Sequence, residues 1–543
     1  MQSFLIIELG TLAIIQFGLF IGSYRFVRDQ LANTSVRYWL ASLFSNALGL
    51  AIYTVCLMYS DNIAKPVFGF TVSNTLFYFS GLTQTLFCLS LLGAISKRVK
   101  IFSRQIYVHY QPFSINMVLD RKSPPAIHDA VNFEFNLPPV NKVTLDNGLP
   151  LYWLNAGVQD VVQIDWVFKA GLWYEEKPSV AQSTAALLKN GTSKHTARQI
   201  SESLEFYGAQ FKVNAGNDYC SLTLYTLTKH LQVLLPIVHE IITDATFPED
   251  EIEIYKNNTI QRLLVNLRQC EFVANQKIDA VLYGEAHPYG RYSRQANIEA
   301  LVRKDLVSFY KSRFNLAAAT IFMGGKVGNS EVKLINSIFG GTLSSASSSI
   351  EPAFAIAGAT DRSFKVDNDP NGVQGAIRIG RLFPNRHHPD YTPMVVLNTL
   401  FGGYFGSRLM ANIREDKGYT YGIYSSISPE ISGGSLVIHT ETGRDVIENA
   451  IKEVYREMDI LCSETADDEE LLLVKNYLLG GLLGDLDGPF SILARWRTLI
   501  LNGFTEDYFY QNIRIYKSIT APELKSLAQK YFDRKDFYEV VVI

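Results

Sequence analysis

Hydrophobic positions are distributed in two different ways along the chain. The first hundred residues contain three long apolar runs, at 4–22, 38–58 and 67–96. Each run has the length of a helix that crosses the hydrocarbon core of a bilayer, which needs about 20 residues. The pattern predicts an all-α membrane segment at 1–100 with about three transmembrane helices. After residue 140 the apolar residues instead alternate or recur at helical spacing, which is typical of a globular protein.

Basic residues flank the apolar runs unevenly. Three arginines lie between the first two runs, and four basic residues at 97–104 follow the third. Because cytoplasmic loops carry the excess of lysine and arginine, we expect a membrane protein whose later domains are cytoplasmic. Composition changes abruptly near Met117. Residues 1–116 therefore allow a second interpretation, as a membrane fragment joined to a complete protein.

From residue 141 the pattern predicts alternating strands and helices. The stretch "KVTLDNGLPLYWLNAG" places two strand-like runs around an Asn-Gly turn, and "VVQIDWVFKAGLWYEE" is a further strand run. Helical spacing follows at Val180–Leu188, Ala197–Tyr207 and Lys229–Ala245. The next stretch, "FPEDEIEIYKNNTIQRLLVNL", opens with acidic residues, as helix N-termini favour.

The second half of the chain repeats this order. "TADDEELLLVKNYLLGGLL" repeats the acid-opened helix, and Lys475 stands where Lys256 stands in the first copy. A period of about two hundred residues is too long for a solenoid and indicates a duplicated domain. The Gly/Ser-rich stretch "FGGTLSSASSSIEP" between the copies is of linker type. The predicted organisation is a linker at 101–140, a domain at 141–337, a linker at 338–360 and a domain at 361–543.

Charge and cysteine content narrow the function classes. Net charge is −3, from 50 basic and 53 acidic residues, so no nucleic-acid partner is expected. The five cysteines are far apart and include no CxxC pair. This favours core packing or a reduced compartment over a disulfide framework.

Several stretches together resemble the pitrilysin/insulinase-type (inverzincin) zinc metallopeptidases, which include mitochondrial processing peptidase. They include "LLKNGTSKHTARQI", "FPEDEIE", "GEAHPYGRYS" and "LFGGYFGSRLMANIREDKGYTYGIYSS", and the resemblance runs from about Asn141 to the C-terminus. It implies an α+β fold of two homologous α/β-sandwich domains of the pitrilysin/processing-peptidase type. In this chain they are expected to follow the all-α transmembrane segment.

The zinc motif of that family, His-x-x-Glu-His, is degenerate in this chain. In the family two histidines and a later glutamate hold zinc, and the glutamate within the motif activates the bound water. When the chain is aligned on the Gly-Thr that follows the motif, the motif positions are Gln182, Ala185 and Ala186. The third-ligand region falls near Gln261. The resemblance therefore implies no metal and no other cofactor in this chain.

Arg414 and Tyr421 are the candidate catalytic residues, in the stretch "REDKGYTY". In the family an arginine and a tyrosine at this spacing reach the active site of the zinc-bearing half. There they hydrogen-bond the substrate backbone and the oxyanion, which suits a guanidinium and a phenol. The alternative is a helix-end arginine and a strand tyrosine with no such role. Arg408 matches another family position, and an ion pair between helices is expected for it.

The stretch "AGLWYEEK" at 170–177 is expected to form an edge strand of the substrate cleft. Family members bind extended peptides by adding a strand there. Trp173 and Tyr174 are equally compatible with a peptide groove and with a core.

These features predict a catalytically inactive subunit of a metalloendopeptidase family that is not active alone. The expected partner is a homologous subunit with an intact HxxEH motif and the zinc cofactor, and the expected substrate is a peptide or unfolded protein. Residues 1–100 are expected to contact the membrane. A purely structural scaffold is the alternative, and loss of the zinc ligands argues against an independent zinc peptidase.

Overall fold

The computed structural model describes residues 66–67, 70–71, 128–341 and 351–543. The chain divides into two units, at residues 1–125 and 126–543. In the first unit the described elements are β1 (Pro66–Val67) and β2 (Phe70–Thr71), which pair in antiparallel fashion.

The predicted transmembrane segment, and the membrane localisation that rested on it, are wrong. The runs at 4–22 and 38–58 lie outside the described residues. The third run, predicted as a helix from Val67, opens in the strand pair β1 and β2, and extended backbone cannot belong to a helix. Among the described residues no helix has the length and apolar character to cross a membrane. The corrected fold class therefore keeps only the mixed α/β part.

The first sheet of the second unit lies in the first copy of the predicted repeat. Its strands are β3 (Asn141–Thr144), β4 (Pro150–Asn155), β5 (Val161–Phe168), β6 (Gln210–Ala215), β7 (Cys220–Leu227) and β8 (Thr320–Gly325). They are ordered β3-β4-β8-β5-β7-β6, and β4 and β8 are parallel. The central strand β5 is buried along most of its length because both faces of the sheet are covered.

The second sheet repeats this topology without a counterpart of the edge strand β3. Its strands are β9 (Ser363–Val366), β10 (Gln374–Leu382), β11 (Thr420–Glu430), β12 (Gly433–Gly443) and β13 (Tyr538–Val542). They are ordered β11-β12-β10-β13-β9. In the first sheet the last strand, β8, is parallel to β4 and lies between β4 and β5, and in the second sheet the last strand, β13, is parallel to β9 and lies between β9 and β10. The predicted duplication is therefore present in the strand order, while the exact domain boundaries stay a prediction.

Fourteen α-helices connect and cover the two sheets within the described residues. They are α1 (Val180–Leu187), α2 (Ala197–Phe206), α3 (Leu231–Thr243), α4 (Glu249–Asn266), α5 (Cys270–Tyr283), α6 (Gln295–Glu299), α7 (Arg303–Arg313), α8 (Asn329–Phe339), α9 (Tyr391–Asn398), α10 (Ile447–Ser463), α11 (Asp468–Asp485), α12 (Pro489–Leu501), α13 (Glu506–Ser518) and α14 (Ala521–Tyr531). The helices predicted from apolar spacing are confirmed to within about two residues at most ends.

The long helices α4 and α11 start in the same way. Each has three acidic residues in its first turn, where negative charge stabilises the helix dipole. In α11 the side chain of Asp467 also accepts the N–H of Glu470. The acidic opening was visible in the sequence, and it correctly located both helices.

Each half of the second unit covers the outer face of the other half's sheet. Helix α5 packs its buried residues against Ala376 and Val540 of the second sheet. Helix α12 packs Leu493 and Trp496 against Leu154 and Phe322 of the first sheet. This exchange of helices makes the two halves interdependent, because neither sheet is covered by its own half alone.

Candidate functional site

Helix α1 contains the positions that match the zinc motif. The carboxylate of Glu175 accepts the N–H of Ala181 at 2.9 Å, which satisfies one of the open donors at the helix start. Gln182 and Ala186 lie one turn apart on the exposed face of α1. Ala185, at the general-base position, is only 3% exposed and packs in the core of the first half. The helix thus keeps the geometry of the motif without its chemistry.

Glu175 and Arg291 form a buried ion pair beside this helix. The two side chains approach to 3.4 Å, and Arg291 also donates to the backbone carbonyls of Leu172 and Glu175. Burial raises the pKa of Glu175 to about 6, although the N–H of Ala181 and the charge of Arg291 oppose that shift. The pair fixes the segment that leads into α1.

The structure places Arg262, and not Gln261, opposite the first motif position. Helix α4 runs beside α1, and the hydroxyls of Ser183 and Tyr255 meet at 3.2 Å. Between the helices lies a cavity of about 340 Å³ whose wall includes Gln182, Tyr255 and Arg262. Gln261 is exposed and lies outside this wall. The predicted third-ligand position is therefore displaced by one residue from the one that faces the cavity.

The side chains at these positions do not fit zinc. A catalytic zinc site needs three nitrogen, oxygen or sulfur ligands, typically histidines and a carboxylate. The cavity offers the amide of Gln182 and the guanidinium of Arg262, which repels a dication, while Ala186 has no donor atom. Across the ranges that the structure describes, no group of three His, Cys, Asp or Glu residues is placed to hold a metal.

Arg414 and Tyr421 are brought together in the second half. Arg414 lies in the π-helical segment Met410–Asp416, and its Nε donates to the backbone carbonyl of Tyr421 at 3.0 Å. Its guanidinium also lies over the ring of Phe405, 4.7 Å from the ring centre. The contact between the pair is thus made through the backbone of Tyr421. The side chain of Tyr421 is 94% exposed.

A β-bulge explains why Tyr421 faces solvent. The register between β11 and β12 shifts between Thr420 and Ile423, so Tyr421 and Gly422 have no partner residue in the ladder. The hydroxyl of Thr420 accepts the Gly422 N–H at 3.1 Å and holds the bulge closed. Bulges of this kind re-aim a side chain, and here the bulge presents the phenol of Tyr421 outward.

Arg408 has the structural role that its position suggested. Its Nε and Nη2 bind both carboxylate oxygens of Glu470, at 2.8 and 2.7 Å. This bidentate pair joins the segment before Arg414 to the first turn of α11. Five large apolar side chains of the same half are exposed, in the segment before Arg408, on β11 and on α11: Phe405, Tyr424, Leu472, Leu473 and Tyr477.

The expected edge strand at 170–177 is wrong. Strand β5 ends at Phe168, and Leu172–Tyr174 form a 3₁₀ turn. The turn forms because the N–H of Trp173 bonds the carbonyl of Asn217 at 2.8 Å, which docks it on the loop between β6 and β7. Trp173 is 7% exposed and packs against Tyr289 and Phe354, so it fills a core.

Sequence reasoning missed Arg262 and Tyr255. Helix α4 packs through positions spaced three or four apart, beginning at the buried Ile252 and including Leu263. Counting from Ile252 with that spacing reaches 255, 259 and 262, whereas 261 falls outside the series. The helical period was therefore a better guide to the facing residue than the distance along the chain from the motif.

Two family models match consecutive parts of the second unit. A model described as Insulinase (Peptidase family M16) matches residues 155–285, and one described as Peptidase M16 inactive domain matches residues 300–478. Together they cover more than half of the chain. Gln182 and Arg262 lie within the first match, and Arg414 and Tyr421 lie within the second.

Two bacterial proteins described as zinc proteases are similar in sequence to this chain. An uncharacterized zinc protease of Bacillus subtilis is 22% identical over 362 residues, 66% of this chain and 87% of that protein. An uncharacterized zinc protease of Rickettsia felis is 24% identical, over 62% of this chain and 82% of that protein.

Solved structures share the fold. A peptidase M16 inactive domain from Pseudomonas fluorescens superposes with a TM-score of 0.68 and 21% identity, covering 74% of this chain and 98% of its own. A protease from Helicobacter pylori also has a TM-score of 0.68, with 16% identity, 75% of this chain and all of its own.

Proposed function

The chain belongs to peptidase family M16, the insulinase family, and we propose that it is a catalytically inactive subunit that completes the active site of a zinc-bearing partner. The partner is a homologous chain with an intact HxxEH motif, and the substrate is a peptide or unfolded protein. One observation carries the proposal. A chain without a zinc ligand set nevertheless presents the phenol of Tyr421 to solvent on a backbone held by Arg414.

The chemistry of the pair suits an oxyanion or a peptide carbonyl. The hydroxyl of Tyr421 has no partner within the described ranges, so its O–H is available to donate. Arg414 uses Nε for the Tyr421 carbonyl and Nη1 for Glu415 at 3.4 Å, which leaves Nη2 for a ligand. Preorganised donors of this kind stabilise the charge that develops during hydrolysis.

The surroundings of the pair suit contact with another chain. Phe405 is 59% exposed and Leu473 is 62% exposed, and both belong to the half that presents Tyr421. The ring centre of Phe405 lies 4.7 Å from the guanidinium of Arg414, so an exposed apolar surface adjoins the pair, as suits contact with a protein or a peptide. The zinc in this proposal is bound by the partner, because the positions in this chain do not fit it.

A structural scaffold is the second candidate, and one observation favours it. Arg414 is already engaged with its own chain, through the Tyr421 carbonyl and the face of Phe405. A residue retained only to hold the β11 bulge would make the same contacts. The two functions differ in whether the Tyr421 hydroxyl matters for proteolysis.

The test uses the full-length chain, affinity-purified from its native host together with a homologous HxxEH-bearing chain identified by mass spectrometry. Peptide cleavage by the complex is measured with Tyr421→Phe and with Arg414→Lys. Each variant is expected to lower turnover by about 10²–10³, the usual effect of removing one oxyanion donor. Tyr424→Phe, on the same strand, is the matched control and is expected to cleave at the wild-type rate.

Sedimentation shows whether each variant complex remains assembled. Wild-type turnover by Tyr421→Phe in an assembled complex would contradict the proposed function and favour the scaffold. Loss of assembly with Tyr421→Phe would also contradict it, because the phenol would then be a contact and not a donor to substrate.

A further inference from the structure

The cavity between α1 and α4 has an excess of positive charge. Its wall includes three charged side chains: those of Glu175, Arg262 and Arg291. Glu175 and Arg291 neutralise each other as an ion pair at 3.4 Å. Arg262 is exposed and has no hydrogen-bond or ion-pair partner within the described residues. The cavity therefore has a net charge of one positive unit, supplied by an uncommitted guanidinium.

The rest of the wall is largely apolar, but it also contains polar groups that can donate to an acceptor. Gln182 and Asn266 contribute side-chain amides, and Tyr255 and Thr259 contribute hydroxyls. The hydroxyl of Thr259 is buried and makes no hydrogen bond with a described residue. An unsatisfied buried polar group is costly, so it favours a ligand that brings an acceptor. The volume of about 340 Å³ lies at the lower end of the range for ligand sites.

A carboxylate is the group that these features select. Guanidinium forms planar, bidentate hydrogen bonds with carboxylates, and one negative charge balances the net charge of the cavity. Arg262 lines the same cavity as Gln182, so a fixed positive charge faces the position that matches the first histidine of the zinc motif. A positive charge there favours an anion over a dication.

We propose that this cavity binds a carboxylate of the peptide substrate and that Arg262 recognises it. The proposal takes from the proposed function only that the ligand is a peptide. Two sources share this chemistry: the C-terminal carboxylate and the side chain of an acidic residue. The cavity then selects which peptides the subunit retains, and Arg262 is a specificity-determining residue.

The test measures binding of synthetic peptides to the full-length chain without any partner. Hexapeptides of Ala and Gln carry a neutral fluorophore at the N-terminus, and binding is followed by fluorescence anisotropy. One has a free C-terminus, one is amidated, and one is amidated with an internal Glu. The free-acid or the Glu peptide is expected to bind about tenfold or more tightly than the amidated peptide, as for a charge-assisted hydrogen bond. Whichever of these two binds identifies the source of the carboxylate.

The variant Arg262→Gln is expected to abolish this preference, and Arg262→Lys is expected to keep part of it because it retains charge but not the planar fork. Arg268→Gln is the matched control, since Arg268 is also exposed but lies outside the cavity wall. Thermal melting checks that each variant remains folded.

Equal binding of all three peptides, or no binding of any to the wild type, would overturn the proposal. An unchanged preference in Arg262→Gln would do the same. These outcomes are separate from failure of the proposed function, which is read from turnover by Tyr421→Phe in the complex.

Discussion

The two halves of the second unit share one topology but differ at equivalent positions. The third acidic residue at the start of the long helix anchors the preceding segment in both: Glu251 accepts from Asn190 at 2.7 Å, and Glu470 accepts from Arg408. Further along the same helices, the position of Arg262 on the cavity wall corresponds to Gly481, which no side chain approaches. Both halves therefore use the same acidic residue to hold the preceding segment. At the position that lines the cavity in the first half, by contrast, the two halves have different residues.

The comparison shows which part of such a fold is free to change. The sheets and covering helices depend on buried apolar residues, and each half needs the helix of the other. Gln182 and Arg262 line the cavity and Ala186 lies on the exposed face of α1, so none of these side chains belongs to that core and the fold does not depend on them. The presentation of Tyr421 by the second half depends on contacts of Arg414 and of the β11 bulge, and on none of these first-half positions.

The largest expected effect comes from rebuilding a metal site in the first half. Gln182→His and Ala186→His place two imidazoles one turn apart on the exposed face of α1, and Arg262→Glu adds a carboxylate on α4 opposite position 182, so this variant is expected to bind zinc. The same two histidines combined with Gln261→Glu are expected not to bind, because position 261 falls outside the helical series 255, 259 and 262 through which α4 meets α1. Calorimetric titration with zinc compares the two. Zinc binding by the Gln261→Glu variant alone would place the third position at 261.

The next largest effect tests the exchange of helices between the halves. Leu493→Ala in α12 and Ile278→Ala in α5 each remove a buried side chain from the sheet of the opposite half. Each is expected to lower the free energy of unfolding by about 2–5 kcal/mol. Leu473→Ala on α11 is the control, because Leu473 is 62% exposed and the expected change is about 0.5 kcal/mol or less. Chemical denaturation followed by circular dichroism measures all three. A marginal loss in Leu493→Ala would show that the halves are independent.

The sequence was informative where local pattern determines structure and misleading where packing does. Acidic first turns located α4 and α11, and the strand-like runs after residue 140 located β3, β4 and β5. The turn at Leu172–Tyr174 could not be read locally, because it is held by the carbonyls of Gly216 and Asn217, which are distant in sequence. Gln261 was chosen by counting along the chain, whereas the angular position around α4 decides which residue meets α1. Long apolar runs suggested membrane helices from composition alone, although Val67, the first residue of the third run, lies in strand β1.

A smaller effect is expected from the pH dependence of stability. Because burial raises the pKa of Glu175 from about 4.5 to about 6, the folded state binds its proton more tightly than the unfolded state. Its contribution to stability is full below about pH 4.5 and is lost as pH rises through 6, by about 2 kcal/mol in all. Denaturation midpoints between pH 4.5 and 7 should therefore fall more steeply for the wild type than for Glu175→Gln.

Glu176→Gln is the matched control for this pH series, since Glu176 is the exposed neighbour. It is expected to follow the wild-type slope. Glu175→Gln also leaves Arg291 without its anion and lowers stability at every pH, so the slope and not the absolute stability is the readout. Identical slopes for wild type and Glu175→Gln would refute the assignment.

The smallest expected effect compares the anchors of the two long helices. Double-mutant cycles with alanine at Arg408 and Glu470 should give a coupling energy of about 1 kcal/mol, as for a well-formed ion pair. The cycle at Asn190 and Glu251, a single amide–carboxylate bond, should give a smaller value. A larger coupling at Asn190 would mean that the first half depends more strongly on this anchor.

The central claim is that this chain does not perform metal-dependent hydrolysis by itself. Zinc content of the purified full-length protein tests it most directly, measured by mass spectrometry after exchange into metal-free buffer and paired with a peptide-cleavage assay. The expected result is no stoichiometric zinc and no cleavage that a chelator abolishes, because Gln182, Ala186 and Arg262 supply no ligand set. One zinc per chain, removed by chelator together with peptide cleavage, would contradict the account.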